Sequence, residues 1–436
     1  MSKDELIENL GTIAKSGSKN FVETVNKSQE GPSSAENIIG QFGVGFYSGF
    51  IVGDTIEVIS KSNNPNEPAH MWVSDGQGRF EISEINDPGF TRGTKITIHL
   101  RPDCANFAKA AEVKKIIEKY SNFINFPISL NGERVNLVSA IWTKDKRSLA
   151  EEDYNKFWEY LANTKVHYKY KLHFSTDAPL AIKSILYIPN THAEQFGMAM
   201  EEMEVHLYSR KVLIKHKARE LLPNWLRFVK GVVDCEDIPL NISRENYQDT
   251  ALMAKLRSIL TKRVLKLIDE NARRDETSYL QWYNNFHLFL KEGLATDQEN
   301  VEAIMPLIRY YTNFSDDYVT MDDYIKKMKP DQKKIYYILG QSKQSCETSP
   351  YIESFKGSDI PVLYLTLHVD EMVFRGLNSY KGFNFVNIET NFDEIAKDIK
   401  NIEHDKDSGL PEEDVTNFCL WVKVTKKISL KEINLI

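Results

Sequence analysis

The chain has 436 residues, enough for two or three domains, each with a core of its own. Its 42% hydrophobic and 27% charged residues are those of an ordinary soluble globular protein, and 55 basic against 62 acidic residues leave a mild net charge of −7. Lys and Arg are scattered, so no nucleic-acid partner is indicated, and the longest apolar run, Ile38 to Val52, is broken by Gln41 and glycines and is too short to span a membrane.

Ser2 with Glu5 forms a capping box, and Leu6, Leu10, Ile13 and Ala14 follow at helical spacing, which predicts a short amphipathic helix at once. A polar loop from Lys15 to Lys19, a helical Phe21 to Lys27 and a loose Ser28 to Glu36 come next. Then Gly40, Gly43 and Gly45 fall in a G-x-x-G-x-G pattern that runs into an apolar segment. Glycine admits positive φ and close backbone approach to an anion, and the N–H groups of a following helix supply donors, so the segment has the chemistry of a phosphate cradle. No Gly-Lys-Ser/Thr follows as in a P-loop, and no clear strand precedes as in a dinucleotide fingerprint. On the loop alone, a glycine-bearing helix start without a ligand accounts for the pattern better.

Alternating runs at Thr55 to Ser60, Ala69 to Ser74, Arg79 to Glu84 and Lys95 to Leu100 predict an antiparallel meander. A helix from Glu112 to Ile124 and a turn at Asn131-Gly132 close this first region, and the next begins near Val138 with no long linker. Strands are expected at Tyr168 to Phe174, Ile182 to Ile188 and Val205 to Ile214, then a long helix from Arg244 to about Asn271. Between Lys334 and Thr390 the pattern predicts a small parallel βαβαβ layer: strand Ile335 to Leu339, helix Ser349 to Phe355, strand Val362 to Thr366, helix Glu371 to Leu377, strand Phe383 to Ile388. The fold class is α+β. Cys104, Cys235, Cys346 and Cys419 are far apart with no C-x-x-C, which suits reduced thiols rather than disulfides or zinc.

Five segments together carry a resemblance: Leu10 to Gly17, Gly40 to Ser48, Gly93 to Ile96, Phe228 to Asp234 and Asp237 to Glu245. In content and order the chain resembles the ninety-kilodalton heat-shock chaperones, from Met1 to about residue 400. No charged insertion precedes Trp142, and the phrases Lys119 to Phe123 and Leu207 to Ile214 are most similar to the mitochondrial paralogue.

The resemblance implies a GHKL-type ATPase domain, helices on an antiparallel sheet, of which residues 1–137 form the C-terminal part. It also implies a middle domain at 138–391, and the start of a truncated C-terminal region at 392–436. It implies an ATP-dependent chaperone of unfolded or metastable client proteins, working as a nucleotide-gated clamp, with ATP and Mg2+ as cofactors. By resemblance Met1 lies against adenine, Asn9 and Lys15 line the sugar and phosphates, and Gln41, Phe42, Gly43, Val44, Gly45 and Phe46 cradle the phosphates. Thr94 bonds near the base, Arg244 is the catalytic arginine with Gln248 beside it, and Trp142 faces clients. On local sequence alone, Arg244 paired with Asp234, Glu236 or Asp237 is the simpler reading, and Trp142 as packing is simpler than Trp142 as an anchor.

The family pattern has, before Met1, an Asp-x-Gly-x-Gly turn, a water-orienting glutamate and the magnesium asparagine, and after residue 400 a dimerisation domain. This chain is therefore expected to be a truncated monomer with little turnover, its full-length parent a homodimer, with the magnesium ligand upstream. The runner-up reading is a non-hydrolysing client-binding or regulatory fragment. A histidine-kinase or DNA-repair ATPase is disfavoured by the Leu240 to Arg244 segment. The mitochondrion is the expected compartment, the cytoplasm the alternative.

Overall fold

The Ser2 capping box forms as its spacing requires: Glu5 N–H donates to Ser2 Oγ at 3.2 Å, Ser2 N–H donates to Glu5 Oε2 at 2.7 Å, and helix α1 runs Lys3–Leu10. The computed structural model describes residues 1–13, 15, 43–124, 126–136, 138–197, 199–238, 250–356, 358–392, 395, 414, 416–418, 420 and 421. The expected helix at 21–27 and most of the region after 392 lie outside them. Two compact units result, Met1–Thr261 and Lys262–Ile436.

In the first unit the period-2 runs become β1 (Gly53–Lys61), β2 (Ala69–Ser74), β3 (Phe80–Ile85) and β4 (Gly93–Leu100), all antiparallel. The order is β3-β2-β1-β4, so the expected meander is corrected: β4 crosses back to pair with β1. On one face of β1, Ile56 and Val58 lie between Trp72 of β2 and Ile96 and Ile98 of β4. Leu6 of α1, with Met1, Leu10, Phe46 and Phe50, covers that face.

Helix α2 spans Ala110–Tyr120, four residues short of its expected end. Phe123 instead turns into a second core. The Asn131-Gly132 pair, with φ of 52° and 91°, closes a hairpin of β5 (Ser129–Leu130) and β6 (Glu133–Arg134). Next comes helix α3 (Glu151–Ala162), and then β7 (Tyr168–Thr176), β8 (Ile182–Pro189), β9 (Glu204–Ser209), β10 (Val212–Lys215) and β11 (Lys230–Cys235), in sheet order β10-β9-β11-β8-β7. The single strand expected at Val205 to Ile214 is thus a hairpin broken at Arg210 and Lys211, whose φ values are 49° and 65°. No glycine or asparagine announces that turn; its Lys211 N–H is held by Asp234 Oδ2 at 2.9 Å, from β11.

In the second unit, whose first residues continue helix α4 (Thr250–Arg274), helix α5 (Glu276–Thr296) is not among the expected elements. Yet Tyr279, Trp282, Tyr283, Phe286, Phe289 and Leu290 form its buried stripe at helical spacing. The parallel layer is present: β13 (Lys334–Leu339) lies between β14 (Val362–Leu365) and β16 (Phe383–Asn387), parallel to both, and β14 and β16 are joined by helix α6 (His368–Leu377). Antiparallel β12 (Tyr311–Thr312) and β15 (Ser379–Tyr380) edge it. The helix expected at Ser349 to Phe355 is instead two short ones, Lys343–Glu347 and Pro350–Glu353, the second opening on proline.

Candidate functional site

Gly43 carries the one backbone constraint of the glycine loop among the described residues. Its φ is +65°, and a Cβ built there would stand 2.3 Å from the Lys15 carbonyl oxygen, so only glycine lets the two backbones meet. Gly45 has open space around its Cβ position and ordinary φ. It opens a single turn, Gly45–Ser48, which leads into the helical turn Gly49–Val52. The loop is anchored from below: Tyr47 Oη donates to the Leu10 carbonyl at 2.9 Å, burial pushes its phenol pKa up, and the Phe46 ring meets Trp72 edge-on at 5.6 Å.

A second group of expected residues meets through Ser60. The Met1 nitrogen donates to Ser60 Oγ at 2.7 Å, and Ser60 Oγ lies 3.0 Å from Thr94 Oγ1 and 3.3 Å from the Gly93 carbonyl. Ser60, which joins these expected residues, is not among the residues singled out from the sequence, although a hydroxyl at the inward position after Ile56 and Val58 is the signal that marks it. Asn9 lies half-buried in the last turn of α1, and Lys15 Nζ pairs with Glu8. The structure therefore brings Met1 together with Thr94, and Gly43 together with Lys15. Gln41, Phe42, Arg244 and Gln248 lie outside the described residues. The three acids offered as partners of Arg244 have others: Asp234 accepts from Trp142, Glu236 pairs with Lys183 at 3.1 Å, and Asp237 accepts from Ala181 N–H at 2.6 Å.

Trp142 requires a correction. It is 1% exposed, and its ring lies 4.7 Å from that of Phe123 and 5.3 Å from that of Tyr208. Its Nε1–H donates to Asp234 Oδ2 at 3.0 Å. Burial raises the Asp234 pKa, while the bonds from Trp142 and the Lys211 N–H pull it down. Trp142 is thus a core residue that holds a buried carboxyl, and it offers no exposed aromatic surface. Among the described residues no group of three or more His, Cys, Asp or Glu is placed to hold a metal, and no helix is long and apolar enough to cross a membrane.

An antiparallel sheet covered on one face by a capped helix and a glycine turn, followed by a mixed five-stranded sheet and a parallel layer, defines a multi-unit α+β protein with a candidate anion cradle. The chain belongs to the Hsp90 family, whose model, described as Hsp90 protein, matches residues 131–435. It is similar to the chaperone protein HtpG of Desulfitobacterium hafniense, 40% identical over 97% of this chain and 68% of the relative. It is 42% identical to the mitochondrial TNF receptor-associated protein 1 homolog of Dictyostelium discoideum, over 97% of this chain and 59% of the relative. It is also 42% identical to the mitochondrial heat shock protein 75 kDa of Rattus norvegicus, over 89% of this chain and 55% of the relative. The chain thus spans roughly half to two thirds of the length of these relatives.

Proposed function

We propose that the chain is part of an ATP-dependent molecular chaperone, a nucleotide-gated clamp that binds unfolded or metastable proteins. The observation that carries the nucleotide reading is Gly43: a positive-φ glycine packed against the Lys15 backbone just before a helical turn brings the glycine loop and Lys15 together, which supports reading the loop as a phosphate cradle. ATP bound there would supply a γ-phosphoryl group for transfer to water. Around it, the N–H groups near Gly43 and Val44 would face phosphate oxygens, and Lys15, freed from Glu8, would add a positive charge. Thr94, held by Ser60 beside the Met1 nitrogen, would receive the base side, with Asn9, Gln41, Phe42, Gly45 and Phe46 completing the lining. Arg244, with Gln248, would hold the charge that builds on equatorial oxygens, a task suited to a planar guanidinium fork.

Within this reading residues 1–137 belong to a GHKL-type domain, 138–391 to a middle domain and 392–436 to a C-terminal region. The full-length protein acts as a homodimer, in the mitochondrion or, failing that, in the cytoplasm. No step is assigned to Mg2+, because no acidic group among the described residues forms a ligand set for it. With Trp142 buried, client contact falls to exposed apolar side chains such as Tyr160, Val166 and Met200.

Calorimetric titration of the chain with ATP, alongside its ability to suppress aggregation of a heat-unfolded model enzyme, tests the proposal. Both activities are expected. Aggregation suppressed with no heat of ATP binding selects the runner-up, a non-hydrolysing client-binding or regulatory fragment; failure of both activities refutes the chaperone reading.

A further inference from the structure

The unit Lys262–Ile436 holds a polar cavity of about 160 Å³. One wall is the α5 face bearing Tyr283, Asn284, His287 and Lys291; the others are Arg309 to Tyr311, Tyr318, the end of β14 and the first turn of α6 with Asp370. The cavity lies beside the carboxyl end of β14, on the side of β12.

The floor is a buried ion pair: Lys291 Nζ donates to Asp370 Oδ2 at 2.7 Å, with the side chains 6% and 3% exposed. Asp370 Oδ1 is buried with no hydrogen-bond partner, and only one of the three ammonium protons of Lys291 is used by that contact. Burial pushes the Lys291 pKa down and that of Asp370 up, so both charges are short of solvation. The other polar groups are spent or uncharged. Tyr283 Oη bonds the backbone N–H and carbonyl of Arg309, and the Arg309 guanidinium turns to Glu276 and to the Pro306 and Ile308 carbonyls. Burial lowers His287 to about 4, which leaves it neutral at pH 7. The upper walls are aromatic, with Tyr311 and Tyr318 stacked at 4.3 Å.

A bare anion would meet Asp370, and a bare cation would meet Lys291, so the floor disfavours both. It favours a neutral group that carries a donor and an acceptor side by side. We propose that this cavity binds a small aromatic carboxamide, its N–H bonded to Asp370, its carbonyl to Lys291 and its ring against Tyr311 and Tyr318. The floor presents an unpartnered carboxylate oxygen, Asp370 Oδ1, beside an ammonium with protons to spare, which suits the adjacent N–H and C=O of an amide. The tyrosine walls offer the faces and edges that an aromatic ring stacks on.

The test is fluorine NMR of 4-fluorobenzamide against the full 436-residue chain, with 4-fluorobenzoate and 4-fluorobenzylamine as comparisons. Broadening of the amide with a millimolar dissociation constant is expected, and the acid and amine should bind at least about tenfold more weakly, since each sets a like charge on the floor. Asp370→Asn should weaken the amide by about tenfold or more. Should that variant fail to fold, Asn284→Trp decides, because Asn284 is exposed at the rim and an indole there closes the mouth without touching the floor. No broadening up to ~10 mM amide, equal binding of the three probes, or unchanged binding in Asn284→Trp each overturns the proposal, the last two as surface adsorption and the first as a cavity that holds only water.

Discussion

Trp142 can be tested as the keystone of the second core by replacing it with phenylalanine and with alanine. The phenylalanine variant keeps a ring against Phe123 and Tyr208 but removes the Nε1–H bond to Asp234 Oδ2. A hydrogen bond to a charged group contributes about 1.5–3 kcal/mol, so a loss of that size is expected. The alanine variant adds truncation of a fully buried aromatic, about 3–5 kcal/mol, and still leaves the carboxyl without its indole partner. The combined loss, roughly 5–8 kcal/mol, approaches the whole stability of a domain, so the unit should be largely unfolded. A chain of two units need not unfold in one step, and hydrogen exchange read at β8, β9 and β11 is therefore the assay, with exchange in α5 as the internal reference. A further sign is fixed by Asp234. A carboxyl whose folded pKa is raised contributes stability below its ordinary value of 3.8 that is lost as pH rises through the folded value; removing the indole bond raises that value further and moves the loss upward in pH. If Trp142→Ala leaves protection at β8 and β11 within about 0.5 kcal/mol of the parent, Trp142 is not the keystone of this core.

Gly43→Ala should reduce ATP affinity and destabilise the first unit by about 1–3 kcal/mol, because its Cβ meets the Lys15 backbone at positive φ. Gly45→Ala should be within about 0.5 kcal/mol of the parent, so equal effects in a thermal melt would contradict the assignment. Glu194 accepts from Arg227 Nε at 2.7 Å and Nη2 at 3.0 Å, and Glu194→Ala removes the carboxylate that balances this buried guanidinium, at a cost of about 3–5 kcal/mol. The same bonds hold the Glu194 pKa below 4.5, so its contribution is present above that pH and lost as pH falls through the lowered value; the parent should lose stability in that window and the variant should not. Tyr324 Oη donates to the Pro361 carbonyl at 2.6 Å and accepts the Tyr336 N–H at 2.9 Å, so Tyr324→Phe should cost about 1–3 kcal/mol, read as faster exchange at Tyr336.

What can be read from the sequence divides along a physical line. The capping box, the period-2 strands, the Asn131-Gly132 turn and the parallel layer are encoded within a few residues of themselves, and the structure has them with bounds shifted by a residue or two in most cases. The α5 stripe is equally local, and its aromatic spacing could have revealed it. The return of β4 to β1 is a pairing between segments far apart in sequence, and the Arg210–Lys211 turn depends on a carboxylate from β11.

Side-chain roles follow the same division. Aromatic character at Trp142 is common to a packing residue and to an exposed anchor, and Asp234, 92 residues away, decides between them. Gly43 and Gly45 are likewise indistinguishable as letters in a glycine loop. The approach of Lys15 gives Gly43 a steric reason to be glycine, and nothing near Gly45 does the same, so the demand for glycine is set by the pairing of two loops and not by the loop's own spacing. A variant series along 43–46 in which affinity tracked glycine count, rather than position 43, would restore the motif as the unit of meaning.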